Sequence, residues 1–238
     1  EVQRAVRGTA PAVDLHARNE QLVLAIDGST YEGSVAIIRD GAVLAEGTVA
    51  MRGETEERLM PAVLAALAQA GAEPRDVARV VCGAGPGSFT SLRIATAIAK
   101  GIAMGNDAPL FATSSLALIV AGATNLAAGD YLAVLDAMRG DRFVTPFRRA
   151  LDGTVAQLGE ATRVEAAAVP SIAGRMGASP IGPLEALKYA PHARGVAPML
   201  SDIDREGPVE LDTWEPVYGR LAEAQVKWEA AHGRALGA

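Results

Sequence analysis

Cysteine and aromatic residues are both scarce in this chain. Cys82 is the single cysteine among 238 residues, so no internal disulfide can form, and the chain suits a reducing compartment. It ends the apolar run VARVVC with no histidine nearby, which favours a buried, unreactive thiol over a nucleophile. Aromatic residues make up 4% of the chain against 50% hydrophobic residues, so a core must depend on Ala, Val, Leu and Ile.

Excess positive charge, long apolar runs and clustered histidines are also missing. The net charge of −6 and the pI near 5.2 argue against independent binding of nucleic acid, which relies on Lys and Arg. No apolar run approaches the roughly 18 residues of a membrane span. The three histidines are scattered without metal-ligand spacing, so we predict no metal site. Residues 1–20 lack the apolar core of a secretory signal, and we expect a mobile extension on a cytoplasmic protein.

A glycine-rich stretch, GAGPGSFTSLR, is the most distinctive segment. It lies between an apolar run and a segment with helical spacing, which predicts a strand, a loop and a helix. Gly83, Gly85 and Gly87 allow close approach to the backbone, and Ser88 is a good helix N-cap. An anion such as phosphate could bind there. The alternative is a tight turn that binds nothing, because neither the dinucleotide pattern nor the Walker pattern is complete.

The first strands form a second feature. Three apolar runs, LVLAID, GSVAIIRD and AVLAEGTVAM, are separated by turn residues, among them an Asp-Gly pair, which predicts an antiparallel meander. The first run ends in Asp27, Gly28, Ser29 and Thr30. A carboxylate and two hydroxyls at a strand end could hold hydrated magnesium and a phosphate. The alternative is an aspartate that caps a hairpin turn.

Two predicted helices flank the last strand before the glycine loop. The segment ETEERLMPAVLAALAQAG carries an apolar stripe of Leu59 or Met60, Val63, Leu67 and Ala70. In the helix after the loop, Ala97, Gly101 and Gly105 recur at every fourth position, so another backbone could approach closely. That neighbour is either the preceding helix or a different protein chain.

The rest of the chain repeats this plan less clearly. PLFATSSLALIVAGA predicts a strand, a Ser114 cap and a helix, and YLAVLDAM with RGDRFVTPFRR predicts a second hairpin. Its four arginines are typical of solvated strand edges, which we favour over an RNA-binding patch. Beyond Ala150 we expect strand and helix fragments that end near WEPVY. A last helix candidate, RLAEAQVKWEAAHGR, has no clear role.

Several motifs in their order resemble one protein family. The chain is similar to the TsaB (YeaZ) family from about Leu22 to Arg148, and EPVY resembles that family's C-terminal strand. Two residues depart from the usual family pattern: Gly28 stands in place of Thr, and Ser91 in place of Gly. The motifs that carry the resemblance are LAIDGST, GSVAIIRDGAVLAEG, ERLMPAV, GAGPGSFTSLRIATAIAKGIAMG, PLFATSSL and LDAMRGDRF.

The resemblance implies an α/β chain with the actin-like ATPase (RNase H-like) fold, built as two related lobes with mixed sheets and with the second lobe reduced. The expected divisions are a mobile extension over 1–20, an N-terminal lobe over 21–115, a smaller C-terminal lobe over 116–222 and a tail over 223–238.

The resemblance further implies a non-catalytic dimerisation subunit for synthesis of threonylcarbamoyladenosine (t6A) in tRNA. Its partners would be a catalytic TsaD-type paralogue and a TsaE-type ATPase, with tRNA met only through the complex and homodimers formed by the chain alone. A catalytic sibling needs a histidine pair for metal, and ETEERLMP has Arg58 and no histidine. The expected interface consists of Leu59, Met60, Val63, Leu67, Arg93, Ala97, Lys100, Gly101 and Met104.

A different class of function is a free-standing ATP-dependent phosphotransferase. Its nucleotide or phosphate site would consist of Asp27, Ser29, Thr30, Gly85, Gly87 and Ser88. No clear general base follows Asp27, which argues against this enzyme. A peptidase finds no support, because no Ser, His and Asp constellation can be named. We expect that the chain alone needs no cofactor, while ATP and magnesium could act in the assembled complex.

Overall fold

A computed structural model describes residues 21–53 and 56–218. The extension over 1–20, the tail and the last helix candidate lie outside these residues. The strands within them are Leu22–Asp27 (β1), Glu32–Arg39 (β2), Ala42–Ala50 (β3), Val77–Gly83 (β4), Leu110–Thr113 (β5), Gly129–Asp136 (β6), Asp141–Arg149 (β7), Val155–Gln157 (β8), Thr162–Glu165 (β9) and Ser179–Ile181 (β10). The α-helices are Leu59–Gln69 (α1), Phe89–Gly105 (α2), Ser115–Ala121 (α3), Val169–Met176 (α4) and Leu200–Glu206 (α5).

The first sheet contains five strands in the order β3-β2-β1-β4-β5. β1, β2 and β3 are antiparallel neighbours, whereas β4 and β5 run parallel to β1. The predicted meander is confirmed, and its turn has positive φ at Asp40 (53°) and Gly41 (72°), as tight hairpins require. All six residues of β1 are buried, which explains why this central strand reads as one apolar run.

The second sheet has the order β10-β6-β7-β8, and β9 also pairs with β7. β6 and β7 form the predicted second hairpin, whereas β10 runs parallel to β6. Each sheet thus begins with an antiparallel hairpin and has one or two parallel strands on the side of its first strand. The expected α/β fold class with two mixed sheets is confirmed.

The helices and sheets stack in five layers. α1 and α2 pack on one face of the first sheet, where their buried residues share a core with β1, β2 and β4. α3 and a 3-10 helix (Ala193–Met199) fill the space between the two sheets. α4 covers the far face of the second sheet. The second lobe therefore packs on the side of the first sheet opposite α1 and α2.

The segment EPVY and the arginines of the second hairpin bear on two expectations from the sequence. The segment expected as a C-terminal strand, EPVY, is not a strand: Val217 N–H donates one hydrogen bond to the carbonyl oxygen of Ala84 (2.7 Å), and no ladder follows. Two arginines of the second hairpin form ion pairs near strand ends, Arg148 with Asp130 (2.7 Å) and Arg142 with Asp136 (2.8 Å). These pairs favour the solvated-edge interpretation over an RNA patch.

His192 gives the fold a pH dependence. The side chain is 8% exposed, and its Nδ1 accepts a hydrogen bond from the N–H of Arg194 (3.1 Å). Burial, with a smaller contribution from the charge of Arg194, lowers the pKa of His192 from 6.5 to about 4. Between these two values the unfolded chain binds a proton that the folded chain does not, so acidification favours unfolding.

We therefore expect His192 to remove about 2 kcal/mol of stability between pH 7 and pH 4, after allowance for solvent screening. His192 is the N-cap residue of the 3-10 helix Ala193–Met199. The variant His192→Asn keeps a hydrogen-bond acceptor at this position and should lack the loss of stability on acidification that His192 causes. Urea unfolding of both proteins at pH 7, 5 and 4 measures the difference. Equal losses of stability in the two proteins would contradict the assignment.

Candidate functional site

The glycine stretch forms the predicted strand, loop and helix. β4 ends at Gly83, and α2 begins at Phe89 with Ser88 as its N-cap residue. The side chain of Ser88 does not bond to the helix N–H groups; its Oγ lies 3.1 Å from Oγ of Ser91. The N–H of Ser88 donates instead to the carbonyl oxygen of Ser29 (2.7 Å). The loop is thus attached to the end of the first hairpin.

Asp27 is fully buried beneath this loop. Its Oδ1 accepts hydrogen bonds from the N–H (3.0 Å) and the hydroxyl (2.7 Å) of Ser29. Its Oδ2 accepts one from the hydroxyl of Ser115 (2.5 Å), which also accepts the N–H of Gly85 (3.1 Å). Burial raises the pKa of Asp27, and these hydrogen bonds oppose the rise. The carboxylate thus links β1 to α3 through Ser115, and Ser115 links α3 to the glycine loop through Gly85.

Each glycine of the loop has a neighbour from the chain itself. A Cβ at Gly83 would lie 1.9 Å from Oδ2 of Asp27, and one at Gly87 would lie 2.0 Å from the carbonyl oxygen of Ser29. Gly85 has φ +84°, and a Cβ there would lie 2.4 Å from the carbonyl oxygen of Val217. In the direction of these Cβ atoms, the loop therefore meets the protein's own backbone or carboxylate.

The predicted nucleotide-site residues are therefore brought together with one exception. Asp27, Ser29, Gly85, Gly87 and Ser88 converge, but they satisfy one another. Thr30 turns away, because its Oγ1 bonds with the backbone of Glu32. The hydrogen bond that the N–H of Ser29 donates to Oδ1 of Asp27, two residues earlier, is typical of a capped turn. This geometry favours the turn interpretation of both segments.

Neither a reactive thiol nor a metal cluster is found among the described residues. Cys82 is fully buried, and burial together with the charge of Asp27 raises the pKa of its thiol to about 12. It is therefore protonated at neutral pH and is no nucleophile. Within residues 21–53 and 56–218, no three His, Cys, Asp or Glu side chains are arranged to hold a metal ion.

The two departures from the family pattern lie against each other. A Cβ at Gly28 would be 2.7 Å from the carbonyl oxygen of Ser91 and 2.8 Å from Cβ of Ala95. Ser91 is 2% exposed. Gly28 thus lies against the turn of α2 that contains Ser91 and Ala95, too close to that turn for a side chain.

The second candidate site is the outer face of α1 and α2. Three side chains that the sequence assigned to a partner interface are not on it: Leu59, Val63 and Leu67 are each no more than 1% exposed and pack in the core of the first sheet. The apolar stripe of α1 is its attachment to its own sheet. The expectation that these three residues contact a partner is therefore wrong.

The other predicted interface residues do lie at the surface, and Leu64 joins them. Met104 is 65% exposed and Leu64 is 45% exposed, while a Cβ at Gly101 would meet no atom within 4 Å. α1 and α2 contain no Asp or Glu. We call this region the outer helix surface. Its residues are Met60, Leu64, Arg93, Ala97, Lys100, Gly101 and Met104.

No helix in the described residues is long and apolar enough to cross a membrane. This finding agrees with the absence of long apolar runs from the sequence.

Comparisons with known proteins agree with the fold and with the motifs. A family model described as TsaD, tRNA N6-adenosine threonylcarbamoyltransferase, matches residues 50–166. The tRNA threonylcarbamoyladenosine biosynthesis protein TsaB of Bacillus subtilis is 28% identical over 87% of this chain and 97% of its own length. TsaB of Escherichia coli is 36% identical over 55% of this chain and 57% of its own length. The solved structure of YeaZ from Pseudomonas aeruginosa is 26% identical with a TM-score of 0.67, covering 83% of this chain and 99% of that one.

Proposed function

We propose, because this chain belongs to the TsaB (YeaZ) family, that it is a non-catalytic subunit in the synthesis of threonylcarbamoyladenosine in tRNA. It binds a catalytic TsaD-type subunit through the outer helix surface and holds it in an active assembly. The names of the relatives support the pathway, and the geometry of this chain supports its mode of action.

The observation that carries the proposal is the outer helix surface, which is left uncovered by residues 21–53 and 56–218. The second lobe packs on the opposite face of the first sheet, so this lobe does not cover α1 and α2. Exposed Leu64 and Met104 lie beside small residues that allow close backbone approach, as the centre of a protein interface requires. Arg93 and Lys100 are its charged groups, so the partner's complementary surface is apolar with acidic residues at its margin.

The identity of the partner follows from the shared fold. The TsaD family model matches the segment that contains α1, the glycine loop and α2. A TsaD-type protein therefore presents equivalent helices, and two related surfaces can pair about a pseudo-twofold axis. The same surface, with no partner present, pairs with a second copy of this chain. A TsaE-type ATPase and tRNA join through the complex, which suits a chain with net charge −6.

The absence of catalysis is supported by the closed Asp27 cluster. A phosphotransferase needs a carboxylate that can reach magnesium and phosphate. Here both oxygens of Asp27 already accept hydrogen bonds from Ser29 and Ser115. Arg58 occupies the place where the resemblance leads us to expect histidine in a catalytic sibling.

Reconstitution tests this function. The chain is mixed with the TsaD-type subunit of its own organism and passed over a sizing column, and t6A formation is measured with the remaining subunits present. We expect coelution and modification that depends on this chain. Full modification without the chain, or separate elution of the two proteins, would refute the proposal.

The variant Asp27→Asn separates the scaffold from the alternative, a free-standing phosphotransferase. Asparagine keeps an acceptor for Ser29 and removes a buried charge, so the free energy of unfolding should change by no more than about 1 kcal/mol. Coelution and t6A formation should be unchanged. Calorimetry with ATP and magnesium should give feeble heats and no turnover for the isolated wild-type chain.

Asp27→Ala is the matched control for that experiment, because it leaves Ser29 and Ser115 without their acceptor. It should destabilise the fold by about 2–4 kcal/mol. Loss of an ATP-dependent activity in the folded Asp27→Asn variant would favour the phosphotransferase instead.

A further inference from the structure

The last described residue, Tyr218, lies at the start of α2. Its ring centroid is 4.6 Å from that of Phe89, the first residue of this helix. The guanidinium of Arg93 lies 5.3 Å from the centroid of the same Phe89 ring. Because Arg93 belongs to the outer helix surface, the residues that follow Tyr218 begin at the margin of that surface.

The sequence after Tyr218 has the pattern of a segment that packs along a helix. We call residues 220–234, RLAEAQVKWEAAHGR, the tail segment. Its apolar positions recur at spacings of three, four and three, which predicts a helix with one apolar face. Most of the positions between them are polar or charged, so the other faces suit solvent. The positions of the apolar face are Leu221, Ala224, Trp228 and Ala231.

The tail segment matches α2 in length and in starting point. As a helix it would span about 22 Å, and the 17 residues of α2 span about 25 Å. Lys100 lies 11 positions after Phe89, and Glu229 lies 11 positions after Tyr218. A tail segment that runs alongside α2 from Tyr218 therefore places Glu229 and its neighbour Trp228 near the level of Lys100.

The outer helix surface offers space for an indole ring at this level. Ala97 and Gly101 are exposed there, and a Cβ at Gly101 would meet no atom of the described residues within 4 Å. Exposed Leu64 on α1 and Met104 on α2 supply apolar contact area on the same surface. The apolar face of the tail segment, with Trp228 as its largest side chain, is a complement to this surface.

The charges of the outer helix surface also favour an acidic neighbour. Neither Arg93 nor Lys100 forms an ion pair among the described residues. Both helices of the surface lack Asp and Glu. Glu229, beside Trp228, can supply a carboxylate at the level of Lys100. Such a pair adds little affinity at an exposed position, but it favours one register of the tail segment over others.

We propose that the tail segment docks along α2 on the outer helix surface of its own chain, with Trp228 over Ala97 and Gly101. The docked tail segment covers the surface that binds the TsaD-type subunit, so the two compete for it. The competition rests on the proposed function, whereas the docking does not.

The expected strength of this competition follows from the tether. A short linker holds a segment at an effective concentration in the millimolar range. If the untethered segment binds with a dissociation constant of about 0.1–1 mM, the docked form equals the free form or exceeds it about tenfold. The apparent affinity for the partner is then lowered by about twofold to tenfold.

The docking is tested on the isolated full chain by fluorine NMR. The chain has two tryptophans, Trp214 and Trp228, and 5-fluorotryptophan labels both. The Trp228 signal is identified by its loss in Trp228→Ala. We expect this signal to lie away from that of free 5-fluorotryptophan. Gly101→Phe should move it to the free position, because the added ring fills the space of the indole.

Gly174→Phe is the matched control for that variant. Gly174 is an exposed glycine of α4, on the far face of the second sheet, and a Cβ there would meet no atom of the described residues within 4 Å. It should leave the Trp228 signal unchanged. A Trp228 signal at the free position in the wild type, or one that Gly101→Phe does not move, would overturn the docking.

Dilution separates docking within one chain from docking on a second copy. The shift of the Trp228 signal should be the same at low and high protein concentration, because the tether fixes the local concentration of the tail segment. A shift that appears only at high concentration would assign the tail segment to a neighbouring copy and overturn the proposal.

The competition is tested by calorimetry with the TsaD-type subunit. Trp228→Ala should bind this subunit about twofold to tenfold more tightly than the wild type does. Val226→Ala is the matched control, because Val226 lies off the apolar face, and its affinity should be unchanged. Weaker binding by Trp228→Ala would make the tail segment part of the partner's contact surface, and equal binding would mean that it does not compete; either result would overturn the proposal.

The two tests separate this inference from the function on which its competition rests. The fluorine NMR experiment contains no TsaD-type subunit. If that subunit binds neither the wild type nor Trp228→Ala, the scaffold function fails, while the position of the Trp228 signal still decides whether the tail segment is docked.

Discussion

Replacing Gly101 with tryptophan should abolish copurification with the TsaD-type subunit while the isolated chain stays folded. Gly101 lies in α2, and a Cβ there would meet no atom of the described residues within 4 Å. A helical glycine lowers stability by about 0.5–1 kcal/mol relative to alanine, so the backbone gains from a side chain. The indole ring would instead hold a partner's backbone away from the outer helix surface.

We expect the affinity for the TsaD-type subunit to fall by about 100-fold or more, which corresponds to about 2.7 kcal/mol. Calorimetry or a pull-down measures the loss, and circular dichroism verifies the fold. The same variant should shift the isolated chain toward the monomer in a sizing experiment. This links self-association to the same surface.

Gly174→Trp is the matched control. Gly174 also lies in a helix, exposed and with no atom within 4 Å of a built Cβ, but on the far side of the second sheet. It should bind the partner as the wild type does. Equal retention of Gly101→Trp and Gly174→Trp by the partner would place the interface elsewhere.

Gly87→Ala should destabilise the chain itself. The added Cβ would lie 2.0 Å from the carbonyl oxygen and 2.8 Å from Cα of Ser29, and backbone atoms cannot rotate away. Relief requires the loop to separate from the first hairpin, which breaks the bond from the N–H of Ser88 to Ser29 and disturbs the hydrogen bonds around Asp27. We expect a loss of about 3–5 kcal/mol in the free energy of unfolding, at the upper end for overpacking.

Urea unfolding measures this loss, and the melting temperature should fall by about 10 °C or more in a chain of this length. Gly101→Ala is the control and should raise stability slightly, because that position is open. A Gly87→Ala protein as stable as the wild type would mean that the loop is not packed on Ser29.

Local patterns were sufficient to predict the antiparallel meander of the first sheet and the later strand, loop and helix around the glycine stretch. The Asp-Gly pair specifies the turn between β2 and β3, and the continuous apolar run of β1 specifies a strand covered on both faces. Both signals come from neighbouring residues. This is why they could be read without knowledge of the rest of the chain.

The role of the glycine loop could not be predicted from local patterns. A glycine shows that something approaches closely, but the sequence does not say whether it is a phosphate or the chain's own backbone. At Gly87 it is Ser29, and at Gly85 it is Val217, more than 130 positions away.

Periodicity also left the stripe of α1 ambiguous. Leu59, Val63 and Leu67 recur at helical spacing whether the apolar face meets its own sheet or another protein. The structure assigns them to the core, and the surface is left to the flanking Leu64 and Met60. A stripe can serve only one neighbour, and a helix on an open sheet must first cover that sheet.

The five-layer stack gives the molecule two faces that do not compete. A companion seated on α1 and α2 is separated from the sheet of the second lobe by the whole thickness of the first sheet. The second lobe can therefore form further contacts of its own while the companion is bound.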